Sequence, residues 1–450
     1  MSTATRGTRA LSAIGADRRD LADSVTFLTG YLVILYAIPS NRSIHALGSA
    51  GSVAVVWGLA GVLVWGLFRM LRSSRSVRAE RSPLRLAVFI FLLACLGSYV
   101  AAMTRALPGT EVSTADTGMI RLVAWAGILL IASDGIPDMR RFMILLHRSV
   151  IAGTVLAVLG ITQFITKLSI VDLIPIPGLT VGSSYSTLET RGGILRPSGT
   201  SNHPLEFGLI LAMVFPVALT LALQEKKTAP VLRWLPPVLI VFALLVSGSR
   251  SSIIGLIAGA IVLIPTWSRS VRWGFAISTV AMVGVAYAVS PRAITTLRYL
   301  FVSIANDPSA ASRAQSQGIV VDFFRRNPAF GRGFGTFLPE YRILDNQYFL
   351  LLIEVGLVGT LLFASMLLTA ALSAGMATRR YADPVHQNVG FALVGSVVAG
   401  GILLALFDGL SFPQAAGTLF FFVGMCGAYW RLAGRENVLK NSVNRPMFES

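Results

Sequence analysis

Long apolar segments recur along the whole chain, and each is long enough to cross about 30 Å of hydrocarbon as a helix. Charged residues make up only 13% of the 450 residues, and the mean hydropathy is +0.70; soluble domains carry about 25% charged residues. Backbone polar groups inside a bilayer must be satisfied within helices, so the sequence predicts an all-α polytopic membrane protein. The predicted spans, about twelve, lie near 24–39, 51–70, 84–103, 118–133, 142–165, 204–223, 231–247, 251–267, 273–290, 346–373, 389–407 and 413–430.

The ends of the chain predict its orientation. The first 23 residues contain arginines such as Arg18 and Arg19 but no apolar core, so they predict a basic cytosolic tail rather than a cleavable signal peptide. We expect one membrane domain over 24–430 and a second cytosolic tail over 431–450. With both termini cytosolic, most basic residues fall on the cytosolic side of the cell (inner, cytoplasmic) membrane, as the positive-inside rule requires.

The formal net charge of +17 is therefore interpreted as an orientation signal and as contact with anionic membrane lipids. Nucleic-acid binding is not expected, because no basic and aromatic stripe or binding fold accompanies the charge. In this topology three polar segments share the extracytoplasmic side: the loop near 166–203, the turn at 248–251 and a long loop at 291–345 between spans 9 and 10.

The first of these segments, RGGILRPSGTSNHPLEFG at 191–208, gathers polar side chains in front of a span. Pro204 suits the first turn of a helix, which would place His203 at the positive end of the helix dipole. The segment is either a solvated loop or a site that holds an anion at the helix N-terminus.

The second segment, VSGSRSS at 246–252, places Arg250 among serines between two apolar runs. One interpretation is that Arg250 extends to the lipid head groups while the serines cap a helix. The other is that its planar guanidinium, with hydroxyls and helix amides beside it, holds phosphate oxygens bidentately.

The long outer loop carries further arginines, including Arg313. Apolar spacing over about 312–326 predicts an amphipathic helix at the membrane surface. The glycines of NPAFGRGFGTF predict a turn at which backbone can approach a ligand closely. A nucleotide-type phosphate loop is not predicted, since no lysine and serine follow these glycines.

The stretch LDNQYFLLLIEVGLVG at 344–359 places polar residues at the start of a span. Asp345 is either a helix N-cap or a functional group that faces a cavity, and both can hold together. Glu354, two turns farther along, must face protein or water rather than lipid. The glycines at 356 and 359 are expected to allow close helix contact. Cys95, Cys426 and the scattered histidines have no metal-ligand spacing, so we expect neither a metal nor a cofactor.

The succession RPSGTSNHP, GSRSS, SRAQSQGIVVDFFRRNPAFGRGFGTF and DNQYFLLLIEVGLVG resembles the O-antigen ligase and O-antigen polymerase superfamily over about 190–360. The resemblance implies a GT-C type membrane fold and a metal-independent glycosyltransferase. Such an enzyme moves a glycan from an undecaprenyl diphosphate carrier to an acceptor sugar hydroxyl on the extracytoplasmic face. The residues expected to bind the diphosphate are Arg196, Arg250 and Arg313, and those expected to position substrate are Arg191, Asn202 and Asn346.

The ligase branch of this superfamily marks its general base by a histidine and an amide residue, then nine residues, then G-x-x-G. Here that frame begins with Asp345 and Asn346. A carboxylate can also serve as a base, so the expected catalytic residues are Asp345, His203 as an alternative proton acceptor, and Glu354.

The substitution of aspartate for histidine favours polymerisation of surface polysaccharide repeat units over ligation of polymer to a lipid or other acceptor. Both remain open, as does a transporter or flippase of lipid-linked saccharide, which would instead gather polar residues at the midplane in repeated halves. Expected partners are the carrier-linked donor, the saccharide acceptor, membrane lipids, a chain-length regulator and a flippase.

Overall fold

A computed structural model of the chain describes residues 23–71, 82–169, 171, 175–181, 189–191, 194–289 and 308–443. Within these ranges the side chains are not described at 49, 71, 189, 191, 194, 283, 286, 289, 308–315 and 437–443. Nearly all of the regular structure is helical. The helices are α1 Ser24–Ala37, α2 Val53–Leu71, α3 Pro83–Met103, α4 Gly109–Gly135, α5 Met139–Thr166, α6 Pro204–Gln224, α7 Pro230–Val246, α8 Arg250–Leu263, α9 Arg269–Val289, α10 Pro308–Arg326, α11 Gln347–Glu354, α12 Gly356–Thr378, α13 Pro384–Leu404 and α14 Pro413–Val443.

Four short strands occur in the segments that connect these helices. β1, Arg42–Ile44, follows α1 and pairs antiparallel with β2, Leu179–Val181. β3, Glu189–Arg191, pairs antiparallel with β4, Ile194–Arg196. The loop predicted over 166–203 thus contains two small antiparallel pairs, and one of them joins this loop to the connection after α1.

Local sequence explains where several helices begin. Ser82 and Asp138 accept hydrogen bonds from backbone N–H groups in the first turns of α3 and α5. Asp383 does the same for α13, where Pro384 occupies the first helical position. These residues satisfy donors that a helix N-terminus leaves without intrahelical partners, and proline suits a position that needs no N–H.

Helix α6 forms the centre of the bundle. Of its most apolar 18-residue window, 94% of the residues are buried, and it packs against α5, α7, α8, α13 and α14. Small residues allow the close approach: a Cβ on Gly208 would meet Ser252 of α8, and a Cβ on Gly259 would meet Pro216 of α6. Small residues at helix crossings are the usual means of packing in a membrane, where lipid is as apolar as the helix surface.

The two ends of the bundle differ in their polar contacts. One end, here called the basic end, holds the ion pairs of Arg141 with Asp23 and of Arg69 and Arg85 with Asp134. The opposite end, here called the outer end, collects the loops around 40–52, 104–108, 194–203, 327–346 and 405–412. Hydrogen bonds tie these loops together, for example from the N–H of Ser40 to the carbonyl of Thr200, 2.9 Å.

Seven of the described helices are long and apolar enough to cross a membrane: α2, α3, α4, α5, α6, α12 and α13. Three apolar helices are shorter: Ser24–Ala37, Pro230–Val246 and Arg250–Thr266, the last being α8 with its 3₁₀ extension. The chain is therefore a helical, polytopic membrane protein.

One predicted span is divided in the structure. The span expected over 346–373 is two helices, because α11 ends at Glu354 and α12 begins at Gly356. Gly356 has φ +64°, in the left-handed region that interrupts a right-handed helix. The tail expected from 431 onward is helical as far as Val443, as a continuation of α14, while residues 1–22 and 444–450 of the predicted tails lie outside the described residues.

Candidate functional site at the outer end

The segment that leads into α6 is held rigidly by two glutamine side chains. Gln163 of α5 donates through Nε2 to the carbonyl of Gly199 and accepts through Oε1 from the N–H of Gly199, both at 2.8 Å. Gln414 of α14 accepts from the hydroxyl of Ser201, 2.6 Å, and donates to the hydroxyl of Thr200, 3.1 Å. Buried amides that satisfy backbone in this way fix a single loop conformation.

Glu206, in the first turn of α6, is fully buried. Its Oε2 accepts from the N–H of Asn202, 2.8 Å, and from the hydroxyl of Ser40, 3.1 Å. Its Oε1 accepts from the N–H groups of Gln414, 2.7 Å, and Ala415, 3.3 Å. The carboxylate therefore joins the N-termini of α6 and α14 to the connection after α1. The sequence signal for this role was an acid at the start of an otherwise apolar helix.

Arg196 lies directly against the serine turn. It is 4% exposed, and its Nε donates to the carbonyl of Ser247, 3.2 Å. Its Cγ lies 4.0 Å from where a Cβ on Gly248 would be, and Gly248 has φ +62°. The structure thus brings two of the three arginines predicted to bind diphosphate onto one turn, since Arg250 follows it as the first residue of α8.

The serines beside Arg250 cap α8, as one of the two interpretations of the sequence predicted. Ser249 is the N-cap, accepting from the N–H of Ser252, 3.4 Å, and its hydroxyl contacts that of Ser251 at 3.1 Å. Arg250 is partly buried. Capping does not conflict with anion binding, because the first turn of a helix also presents a positive dipole end.

His203 is itself the N-cap of α6. Its Nδ1 accepts a hydrogen bond from the N–H of Leu205, 3.1 Å, and its ring packs 5.8 Å from that of Phe412. An Nδ1 that accepts leaves the ring proton of a neutral imidazole on Nε2. In this arrangement His203 can donate from Nε2 but has no nitrogen ready to take up a proton, which disfavours it as the base.

The sequence allowed Asp345 to be a helix N-cap, a functional group that faces a cavity, or both, and the structure gives the N-cap role to its neighbour Asn346. Asn346 is the N-cap of α11, with its Oδ1 accepting from the N–H groups of Tyr348 and Phe349. Asp345 is therefore not the capping residue, and it lies partly buried just before the helix. The position of Asn346 gives its side-chain oxygen a structural task, and its contact with substrate stays a prediction, as does that of Asn202.

A second carboxylate stands beside Asp345. Asp408 follows α13, and burial raises its pKa to about 6, with the nearby charge of Asp345 adding to the rise. The two segments are joined by Gln347, whose Oε1 accepts from the N–H of Leu410 at 2.8 Å. In the sequence, the only signal for Asp408 is that it is a lone acid between two apolar spans.

Glu354 occupies the end of α11 and is 5% exposed. Its Oε1 accepts from the N–H of Phe337, 3.3 Å, and its carbonyl accepts from Gly333, 2.8 Å, and Ser98, 2.7 Å. The side chain thus faces protein, as predicted, and holds the glycine-rich loop. Its catalytic role stays a prediction.

The glycines of the outer loop approach protein backbone. A Cβ on Gly331 (φ +71°) would lie 2.4 Å from the carbonyl carbon of Glu354, and one on Gly356 would lie 2.4 Å from the carbonyl oxygen of Ala329. The helix contact expected at Gly359 is wrong, since its neighbour is Val355 one turn earlier. The predicted amphipathic helix is present as α10, and its Val320 packs with Phe337, Leu344 and Ile353.

Two predicted residues cannot be placed at side-chain level. Arg191 ends β3 and Arg313 lies in α10, but both side chains lie outside the described ones. Among the residues that the structure describes, no group of three or more His, Cys, Asp or Glu side chains could hold a metal ion.

The outer end therefore holds two groups of charged residues. Arg196 and Arg250 meet at the serine turn, and Asp345 and Asp408 meet beside α11. The connection 405–412, which carries Asp408, also contacts the start of α6, because Phe412 packs on His203 and Phe407 packs 5.7 Å from Phe412. This arrangement can hold an anionic group at guanidinium and helix-end donors while a carboxylate accepts a proton nearby.

A comparison with models of protein families gives a match. Residues 236–364 match the family model described as O-antigen ligase, a range that runs from α7 into α12. It contains the serine turn, the outer loop and Asp345, and it confirms the resemblance to the O-antigen ligase-related superfamily. Arg196 and His203 precede the matched range, which begins later than the 190–360 expected from the motifs. Curated proteins gave no match to the chain.

Proposed function

We propose that the protein transfers a glycan from an undecaprenyl diphosphate carrier to an acceptor sugar hydroxyl, at the extracytoplasmic face of the cytoplasmic membrane. The observation that carries the proposal is the contact between Arg196 and the turn that bears Arg250, at the same end of the bundle as Asp345. The O-antigen ligase match over 236–364 supports this class of reaction. The proposal includes both termini in the cytosol, about twelve spans and a GT-C type fold.

In the proposed reaction Asp345 takes the proton of the acceptor hydroxyl as its oxygen attacks the anomeric carbon of the donor sugar. The bond between that carbon and the diphosphate oxygen breaks, and undecaprenyl diphosphate leaves with the electron pair. Negative charge grows on the leaving oxygen, and guanidinium groups fixed in place stabilise it without reorganisation. Arg196 and Arg250 have this task, with Arg313 and Arg191 as further candidates.

Polymerisation of surface polysaccharide repeat units is the form of the reaction that we propose first. It rests on Asp345 occupying the position at which the ligase branch carries histidine. The matched family, described as O-antigen ligase, favours the second candidate, ligation of finished polymer to a lipid or other acceptor. Deleting the gene separates the two: surface polysaccharide reduced to single repeat units indicates polymerisation, and full-length polymer retained on the carrier indicates ligation.

The direct test uses protein reconstituted in lipid nanodiscs with carrier-linked glycan and acceptor. We expect Arg250→Ala and Asp345→Asn each to lower kcat by about 10²-fold or more, the range found when one transition-state donor or one general base is removed. Arg233→Ala at the basic end, where Arg233 bonds the carbonyl of Glu225, is the matched control and should keep full activity. Activity should also survive a chelator. Unchanged turnover in both site variants, with altered passage of substrate into sealed lipid vesicles that contain the same proteins, would instead indicate a transporter.

A further inference from the structure

Tyr341, on the outer loop, has an aromatic ring that is fixed in place although 45% of the residue is exposed. Its hydroxyl donates to Oε1 of Glu111, 2.5 Å. The guanidinium carbon of Arg332 lies 4.9 Å from the centre of the ring, and the ring of Phe337 lies 5.7 Å away. An exposed side chain normally keeps its rotamer freedom. Because three contacts fix this ring, its flat apolar surface is already ordered before a ligand binds.

The charges around Tyr341 are largely satisfied within the protein. Arg332 pairs with the carboxylate of Glu111, which is 1% exposed and lies in the first turn of α4. The guanidinium of Arg105 also lies here and donates to the carbonyl of Arg332, so these charged groups are held by contacts within the protein. Oε2 of Glu111 is buried and has no hydrogen-bond partner among the described residues, which leaves an acceptor for a bridging water.

The ring lies close to the proposed site of reaction. Asp345 lies four positions after Tyr341, and four residues of chain span at most about 14 Å. The loop is also fixed to α11, because the N–H of Arg332 donates to the carbonyl of Ile353, 2.7 Å, and that of Gly333 to the carbonyl of Glu354, 2.8 Å. The ring therefore keeps a constant position relative to the helix that follows Asp345.

From these contacts we infer that Tyr341 is a stacking platform for a sugar residue of the acceptor glycan. The C–H groups on one face of a pyranose ring carry partial positive charge and can lie flat on the negative face of an aromatic ring. A hydroxyl-rich sugar matches a rigid, exposed ring whose neighbouring ion pair is already formed within the protein. The inference rests on the proposed function and assigns the acceptor, rather than the donor diphosphate, to this part of the outer loop.

The test compares Tyr341→Phe with Tyr341→Leu in the full-length protein. Both variants lose the hydroxyl bond to Glu111, and only the first keeps the aromatic face. We expect Tyr341→Phe to leave the KM for an acceptor oligosaccharide within about twofold of the wild-type value. Tyr341→Leu should raise that KM by about five- to tenfold, the range of one aromatic contact, with the KM for carrier-linked donor and kcat unchanged.

Thermal unfolding of both variants checks that they fold, and Tyr341→Met replaces Tyr341→Leu if the latter does not. Equal KM values for acceptor in the Phe and Leu variants would overturn the platform while leaving the glycosyltransferase proposal intact. A calorimetric measurement of the binding of the free repeat-unit oligosaccharide tests the opposite case, in which the proposed function fails and the platform holds. If the wild type transfers no glycan but binds this oligosaccharide, and only Tyr341→Leu weakens the binding, the platform holds and the proposed function does not.

Discussion

Asp345 and Asp408 come from two separate segments and meet at the outer end beside α11. Burial raises the pKa of Asp408 to about 6, and the charge of Asp345 contributes. Two neighbouring carboxylates of this kind resist simultaneous ionisation. When Asp408 carries its proton, no second negative charge opposes the ionised form of Asp345, so Asp345 is a weaker base than when Asp408 is ionised. When Asp408 ionises, the second negative charge makes Asp345 the stronger base.

We therefore expect kcat to rise as the pH rises through about 6 in the wild type, and Asp408→Asn to abolish this step. The measurement is the pH dependence of kcat between pH 5 and 8 in nanodiscs. A step that persists in Asp408→Asn would contradict the role of the pair.

The thermal stability of the protein at different pH values gives an independent control on the role of Asp408. A raised carboxyl pKa means that the folded state binds more protons than the unfolded state between about pH 4 and 6. The contribution of Asp408 to stability should therefore decrease as the pH rises through that window. Asp408→Asn should lose less thermal stability across it than the wild type does.

At the scale of the element, the break between α11 and α12 shows what sequence reasoning could and could not provide. Helices were predictable where long apolar runs are preceded by capping residues, as at Ser82 and Asp138. The break at Gly356 was not, because the apolar pattern continues through it. It becomes visible only when Ala329 of the glycine loop is placed against the backbone of Gly356.

The candidate site shows the same limit. The arginines and Asp345 stood out as polar residues at the edges of apolar segments. The contacts of Glu206 with Gln414 and of Arg332 with Glu111 join positions about 200 residues apart, and no local pattern in a single sequence indicates such pairs. Short-range signals predicted caps and spans, while the partners of buried polar groups depended on the tertiary fold.

The glycine loop makes a prediction of its own. Gly331→Ala would combine a left-handed φ of +71° with a Cβ only 2.4 Å from backbone atoms of Glu354, so the loop must leave the end of α11. We expect a loss of about 2 to 4 kcal/mol in stability and loss of activity, measured as thermal unfolding in detergent and as glycan transfer.

Gly48→Ala is the matched control for that variant. Gly48 also has a positive φ, +55°, but a Cβ there meets nothing within 4 Å. Its ψ of −138° lies outside the left-handed helical region, so the alanine should cost the backbone strain alone, about 1 to 3 kcal/mol. If both variants unfold alike, the packing of the loop on α11 adds nothing to stability.

At the scale of the whole molecule, the outer end is assembled from segments that are distant in sequence, and Glu206 is the group that joins most of them. It accepts hydrogen bonds from the connection after α1, from the segment before α6 and from the start of α14. The arginine side of the site depends on the same assembly, because Arg196 begins the segment that Glu206 holds.

Glu206→Gln should therefore destabilise the protein although it preserves size and shape. Both carboxylate oxygens accept hydrogen bonds, so an amide must turn its NH₂ group toward backbone N–H donors on one side or the other. Leaving such buried donors unsatisfied costs about 2 to 5 kcal/mol, which we expect to appear as a fall of several degrees in Tm. Glu225→Gln, at the other end of α6, is the matched control. The Glu225 side chain is 43% exposed, and its ion-pair partner in the described part of the chain is His147, which is similarly exposed. Its Tm should stay within about a degree of the wild-type value, and an equal fall in both variants would show that Glu206 has no special part in holding the outer end together.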